Sequence, residues 1–319
     1  MIQNENTKSR YIRKAGIFAL AGNAILAAVK FIFAYFSHSL AIAGDALDSS
    51  SDVLTAVVTL IISVIISKPS DKEHPWGHGR AETTATMILS FIIFTAGMEL
   101  CIQSTKRIFS AEISESVSIW AVAAALISIA GKLILFLIQL HYGKLADSEI
   151  VKANAENMKS DTVMSAAILA GLLLSKIFKL PILDPVIAFL VGLWVIKNAI
   201  MLFIQTNLEL MDGNTDNSLY RKLFKAANSV PGVSNPHRAR IRKIASHYDI
   251  DLDIEVSPSL SVYEAHELSE KVEEAVIDAI PEVYDIVVHI EPAGSDNHQP
   301  KEKFGLSPAE IDRQLKKNT

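Results

Sequence analysis

The sequence predicts an α-helical membrane protein of six transmembrane helices followed by a small α+β soluble domain. Three observations carry that reading. Half of the 319 residues are apolar and only 20% are charged, with a mean hydropathy of +0.29. The apolar residues concentrate in long runs before Asp212, and roughly 20 apolar residues span a bilayer core. Beyond that point, Asp249–Val256 alternates strictly between acidic and apolar, the pattern of a half-buried strand.

The expected spans run Ala15–Phe36, Leu40–Ser67, Thr83–Ser104, Ile119–Leu140, Ala155–Ser175 and Pro185–Phe203. After Met211-Asp212-Gly213-Asn214 the periodicity changes. Residues 214–229 read as a helix stopped by Val230-Pro231-Gly232-Val233. Ile241–Ile244 is a weak strand before the alternating one, and Tyr284–Glu291 a stronger one after it. Between them Ala265, Leu268, Val272, Ala275, Val276 and Ala279 recur at helical spacing. The domain expectation is 1–211 for the membrane part, 212–294 for the soluble part and 295–319 for a polar tail expected to be disordered.

Charge sets orientation and excludes functions. With the N-terminus inside, Lys8, Arg10, Arg13, Lys14, Lys68, Lys72, Arg80, Lys144, Lys152 and Lys159 fall on the cytoplasmic side. Only Lys106, Arg107, Lys176 and Lys179 fall opposite, which places both termini in the cytoplasm of a multi-pass cell-membrane protein. The first apolar stretch is long and has no convincing cleavage site, so no signal peptide is expected. A net charge of −5 gives no nucleic-acid footprint, and the single Cys101 allows neither an intrachain disulfide nor a thiolate cluster.

Two polar pairs interrupt the apolar segments: Asp48 with Asp52, and Asn157 with Asp161. An ionised carboxylate in hydrocarbon costs roughly 2.5 kcal/mol or more, so such groups are rare there and mark ion paths. The i,i+4 spacing puts each pair on one helix face. Two such faces opposed offer four oxygen-bearing side chains to one cation. Asp45, by contrast, reads as a cap at the start of its helix. Lys30 and Lys132, within apolar segments, call for snorkelling or an interhelical partner, and Lys159 for snorkelling to the interface.

These features together resemble the cation diffusion facilitator family of divalent-metal/proton antiporters, over about residues 10 to 295. The motifs are Gly44-Asp45-Ala46-Leu47-Asp48-Ser49-Ser50-Ser51-Asp52 and His74-Pro75-Trp76-Gly77-His78-Gly79-Arg80-Ala81-Glu82. Asp161, Asp184-Pro185 and Val288-His289-Ile290-Glu291-Pro292 add to them. The resemblance implies a homodimer with a ferredoxin-like cytoplasmic domain that exports metal in exchange for protons. It implies a transport site of Asp48, Asp52, Asn157 and Asp161, where zinc-carrying relatives have His or Asp in place of Asn157. It further implies a loop metal site of Asp71, His74 and His78, and a cytoplasmic cluster of His237, Asp253, His266, His289 and Glu291. Arg80 and Asp212 are implied as a charge interlock.

Chemistry then bears on the cargo. Three carboxylates and an amide oxygen suit a hard ion better than imidazole-rich sets do, which favours Mn(II), then Fe(II), with Zn(II), Co(II) or Cd(II) export as the alternative. Clustered carboxylates without metal repel one another, so metal binding and proton uptake are expected to oppose each other. Two other classes fit less well. An Mg-dependent intramembrane prenyltransferase also uses Asp-x-x-x-Asp pairs but needs more helices and basic pyrophosphate clamps. A non-transporting metal sensor would not need three intact carboxylates in the membrane.

Overall fold

The computed structural model describes residues 2–66, 68, 70–110, 118–146, 148–244, 247–294 and 305–317. The chain divides into two compact units, one of residues 1–65 and 85–204 and the other of residues 66–84 and 205–319.

The first unit is built on α1 (Ile2–Ser37), α2 (Leu40–Ile66), α3 (Arg80–Phe109), α4 (Ile119–Ala146), α5 (Glu149–Phe178) and α6 (Leu183–Leu210). All six are long and apolar enough to cross a membrane. Most of their ends extend beyond the expected spans, most of all in α1, which begins at Ile2 rather than near Ala15, while α5 begins at Glu149 rather than near Ala155. A shared core draws Ala34, Ile42, Ile93, Ala125, Ile168 and Val191 from the six helices in turn. Large side chains such as Phe18, Ile25, Leu60, Phe91, Leu137 and Leu190 face outward. Lipid, not water, suits an apolar exterior of that size.

Small residues set how closely the helices approach. Leu135 of α4 seats on Gly22 of α1, and Leu26 of α1 seats on Gly131 of α4, so a Cβ at either glycine meets a leucine methyl. The N-terminus of α2 is capped from a distant helix. Asp184, in the first turn of α6, accepts the Ser39 hydroxyl and the backbone N–H of Leu40 at 3.0 Å and of Ala41 at 3.4 Å. Those are donors that a helix start leaves unpaired. Asp45 is therefore not a cap, as its sequence position suggested. It lies in the second turn of α2, buried to 1% exposure.

The second unit contains α7 (Asn217–Asn228), β1 (Ser234–Ile244), β2 (His247–Val256), α8 (Val262–Ala279), β3 (Val283–Pro292) and α9 (Pro308–Lys317). The sheet order is β1-β2-β3, with β1 antiparallel and β3 parallel to the central strand. This is the expected α+β arrangement of helix, strand, strand, helix, strand. Alternation in β2 sends Ile250, Leu252, Ile254 and Val256 into a core shared with Leu223, Val272 and Val276. Its acids go to the other face. Asp216 caps α7 by accepting from Ser218 and Leu219 N–H, and Ser261 with Glu264 forms a capping box on α8.

Two features depart from expectation. The connection between α2 and α3 belongs to the second unit, with the first turn of α3 and the last turn of α6. The tail expected to be disordered from Ser295 is also ordered at its far end, while residues 295–304 lie outside those described. Leu306 exchanges two backbone hydrogen bonds of 2.9 Å with Ala239, and Ile311 of α9 is 1% exposed within the core. Helix start signals explain this. Pro308 opens α9, and Ser307 donates to Glu310, whose side chain also accepts the Ser307 N–H at 2.7 Å. A single buried isoleucine in a Lys- and Pro-rich stretch left little periodicity to read.

Candidate metal centre

In the first unit, α2, α4 and α5 bring three charged side chains to one point. The Lys132 ammonium of α4 donates to Asp52 Oδ2 at 2.8 Å and to Asp161 Oδ2 at 2.6 Å. The two carboxylates, from different helices, therefore lie within reach of one small cation. Asp48, buried one turn before the partly exposed Asp52, is within electrostatic range of Asp52, Asp161 and Lys132. Asn157 is exposed to a cleft of about 500 Å³ that Asp52 also lines, together with Asn23, Thr55, Thr59, Asn154 and Met158. The i,i+4 pairs thus share a single neighbourhood, and Asn157 and Asp161 lie eight or more residues inside α5 rather than at its first turn or two.

A second polar seam adjoins it. Lys30 of α1 pairs with Asp45 Oδ1 at 3.0 Å and donates to the Ser49 hydroxyl at 2.8 Å. Ser165 of α5 also donates to Asp45, and Ser128 of α4 bonds Ser165 at 2.8 Å. Both buried lysines have interhelical partners, one of the two expectations for them. Lys159 does not reach the cluster; it is exposed and pairs with Glu156 at 3.0 Å. Asp45, Asp48, Asp52 and Asp161 against Lys30 and Lys132 leave a formal charge of −2 when all are ionised.

The second unit gathers two further clusters. In the loop, Asp71 lies 3.1 Å from His74 Nδ1 and 3.4 Å from His78 Nε2, and the imidazole centroids are 4.5 Å apart. One ligand atom from each of the three lies within 4.8 Å of the others, a spacing that one divalent ion spans. The backbone N–H of His74, with that of Glu73, holds the Asp71 carboxyl below its ordinary range, so it stays a ligand-competent anion. Nearby, Arg80 pairs with Asp212 and donates to the Glu209 carbonyl at 2.6 Å, clamping the C-terminal end of α6. Lys243 adds a 2.8 Å bond to Glu209.

The other cluster lies on the acidic face of the sheet. Register aligns His237, Asp253 and His289 across the three strands, and Glu255 with Glu291 beside them. Ligand atoms of His237, Asp253 and Glu291 lie within 4.8 Å of one another. His237 Nε2 is 3.5 Å and His289 Nε2 3.6 Å from Glu291. Asp253 and Glu291 are buried, which favours a cationic partner. His266 is not gathered in. It projects from the first turns of α8, largely exposed, and pairs with Glu270 at 3.5 Å. Sequence reasoning missed Arg238, which bonds Asp253 at 2.8 Å. β1 is irregular on both sides of His237, and Asn235 and Arg238 take positive φ. Such bulges let consecutive side chains share a face, so His237 and Arg238 both reach the acids.

Residues 16–211 match the model of the cation efflux transmembrane domain, and residues 215–293 that of the cation efflux protein cytoplasmic domain. The chain belongs to the cation diffusion facilitator family. Its relatives include the manganese efflux system protein MneS of Bacillus subtilis, 31% identical over 81% of this chain and 88% of that one. The cation-efflux pump FieF of Serratia proteamaculans is 25% identical over 89% and 94%. Among solved structures, the metal-bound C-terminal domain of the CzcD transporter from Thermotoga maritima is 37% identical, with a TM-score of 0.24, covering 25% of this chain and 92% of that one. As a facilitator of this family, the chain is a multi-pass membrane transporter for divalent cation efflux rather than an enzyme.

Proposed function

We infer that this chain exports Mn(II) from the cytoplasm across the cell membrane in exchange for protons, as a homodimer with both termini cytoplasmic. The observation that carries the reading is the convergence of Asp52 and Asp161 on one ammonium, with Asp48 beside them and Asn157 on the adjoining cleft. That donor set is all oxygen, which suits manganese, and Fe(II) after it, better than zinc. The similarity to a protein named for manganese efflux supports the same cargo. The carboxamides and hydroxyls of Asn23, Asn154, Thr55 and Thr59 line part of a cleft that is otherwise largely apolar and also holds Arg13.

Exchange follows from charge. A cluster at −2 is neutralised by one divalent ion or by two protons, so loading with either disfavours the other. Alternating access then moves metal one way and protons the other. The imidazole-bearing clusters fit resident rather than travelling ions. His74, His78 and Asp71 would hold one in the loop, and His237, Asp253, Glu291 and His289 another on the sheet, where it would neutralise two buried acids. The Arg80–Asp212 pair acts as an interlock that fixes the end of α6. Flux through purified protein in vesicles tests the cargo. Mn(II) transport driven by a proton gradient is expected, and Zn(II) flux without Mn(II) flux overturns the assignment.

A further inference from the structure

We propose that Lys132 is a tethered competitor for the transport site: its ammonium and the metal ion hold Asp52 and Asp161 in turn, never together. The inference rests on the transport-site reading above. Lys132 is entirely buried, in the middle of an apolar helix, and its Nζ sits between carboxylates from α2 and α5 at 2.8 and 2.6 Å. A divalent ion bound to the same two oxygens lies within a few ångströms of that nitrogen, where two like charges repel strongly with little solvent between them. One cation must therefore leave. No proton need be lost from the lysine; its four-carbon stem lets a charged head swing away while still buried against α4.

A buried lysine needs opposite charge nearby, and Lys132 takes it from both ligand-bearing helices at the ligand atoms themselves. Lys30 shows the contrast. It is as deeply buried, but it bonds Asp45, one turn before Asp48, and the Ser49 hydroxyl, and pairs with neither Asp52 nor Asp161. Lys132 instead ties α2 to α5 when no metal does, so the unloaded carrier keeps the two faces together. It also weakens metal binding by a fixed amount, which speeds release. In coupling terms, an exclusive contact of this kind shifts affinity by about 5- to 150-fold.

Equilibrium Mn(II) binding to the full-length purified protein tests this, taking for each protein the part of the isotherm that Asp52→Ala abolishes. That difference excludes the loop and sheet clusters. Lys132→Met is expected to tighten binding at least about fivefold while slowing turnover in vesicles, and Lys132→Arg to stay close to wild type. Unchanged or weaker binding in Lys132→Met overturns the proposal, because a support role predicts loss. Should Lys132→Met not fold, the wild-type structure at saturating Mn(II) decides. Nζ released from both carboxylates supports competition; Nζ still bonded to either beside a bound ion refutes it. If Asp52→Ala leaves wild-type binding and flux intact, the transport-site reading itself fails, an outcome distinct from either.

Discussion

The two units each set a basic side chain against an acidic cluster, and the settings differ in depth. In the membrane unit Lys132 has a side-chain exposure of 0%, and its partners Asp52 and Asp161 come from separate helices. In the second unit Arg238 keeps 34% exposure beside Asp253, on a sheet face that solvent reaches. The same pairing therefore has different weight. Burial makes the Lys132 contact a cation-binding alternative to metal, whereas screening leaves the Arg238 pair a modest bias on a site that imidazoles dominate. Donor chemistry divides in the same way: oxygen only in the membrane, nitrogen and oxygen on the sheet.

That contrast can be broken most severely at Asp52. Asp52→Ala removes a ligand and half of the Lys132 tie, and Mn(II) flux in vesicles should fall more than about 100-fold, beyond what loss of a mere supporting contact costs. The homodimer should still assemble, as size-exclusion chromatography would report. Next comes Asn157→His, which makes the membrane site more like the sheet cluster. The ratio of Zn(II) to Mn(II) flux should rise by roughly tenfold, since imidazole favours the more borderline ion.

Scaffold effects are smaller. Ser261→Ala deletes half of the α8 capping box and should cost about 1 kcal/mol of stability, read as a lower melting temperature. Its pH dependence has a fixed sign. The Ser261 hydroxyl and N–H hold the Glu264 carboxyl below its ordinary range, so the folded state binds that proton less readily than the unfolded chain. The contribution is present above the ordinary glutamate range and fades as pH falls through the lowered value. The penalty of Ser261→Ala should shrink in acid. Smallest is Arg238→Ala. Freed of one exposed counter-ion, the sheet cluster should bind Zn(II) no more than about fivefold tighter by calorimetry. A gain as large as that expected for Lys132→Met would erase the distinction between the two regions.

Much of this was legible in the sequence. Six apolar runs and one acidic-apolar strand define the helices and the central strand, and two i,i+4 polar pairs pick out the residues proposed for transport, because each rests on local periodicity. What stayed hidden depends on long-range pairing. The tie of Lys132 to Asp52 spans 80 residues and that of Asp184 to Ser39 spans 145. Neither leaves a spacing to detect. Asp45 was misread as a cap because the start of its helix is fixed by Asp184, far away in the chain. Arg238 escaped notice because only a bulge turns it toward Asp253, and α9 because a single isoleucine anchors it. One signal was available: two lysines inside apolar helices, in a segment set holding four aspartates, require partners of opposite charge.

The most direct measurement is anomalous scattering from crystals of the full-length protein soaked in Mn(II). A manganese peak within bonding distance of Asp52 and Asp161, with Asp48 or Asn157 completing the shell, is predicted. Manganese found only at the loop or sheet clusters at saturating concentration, with the carboxylates of α2 and α5 turned to separate surroundings, would contradict the account.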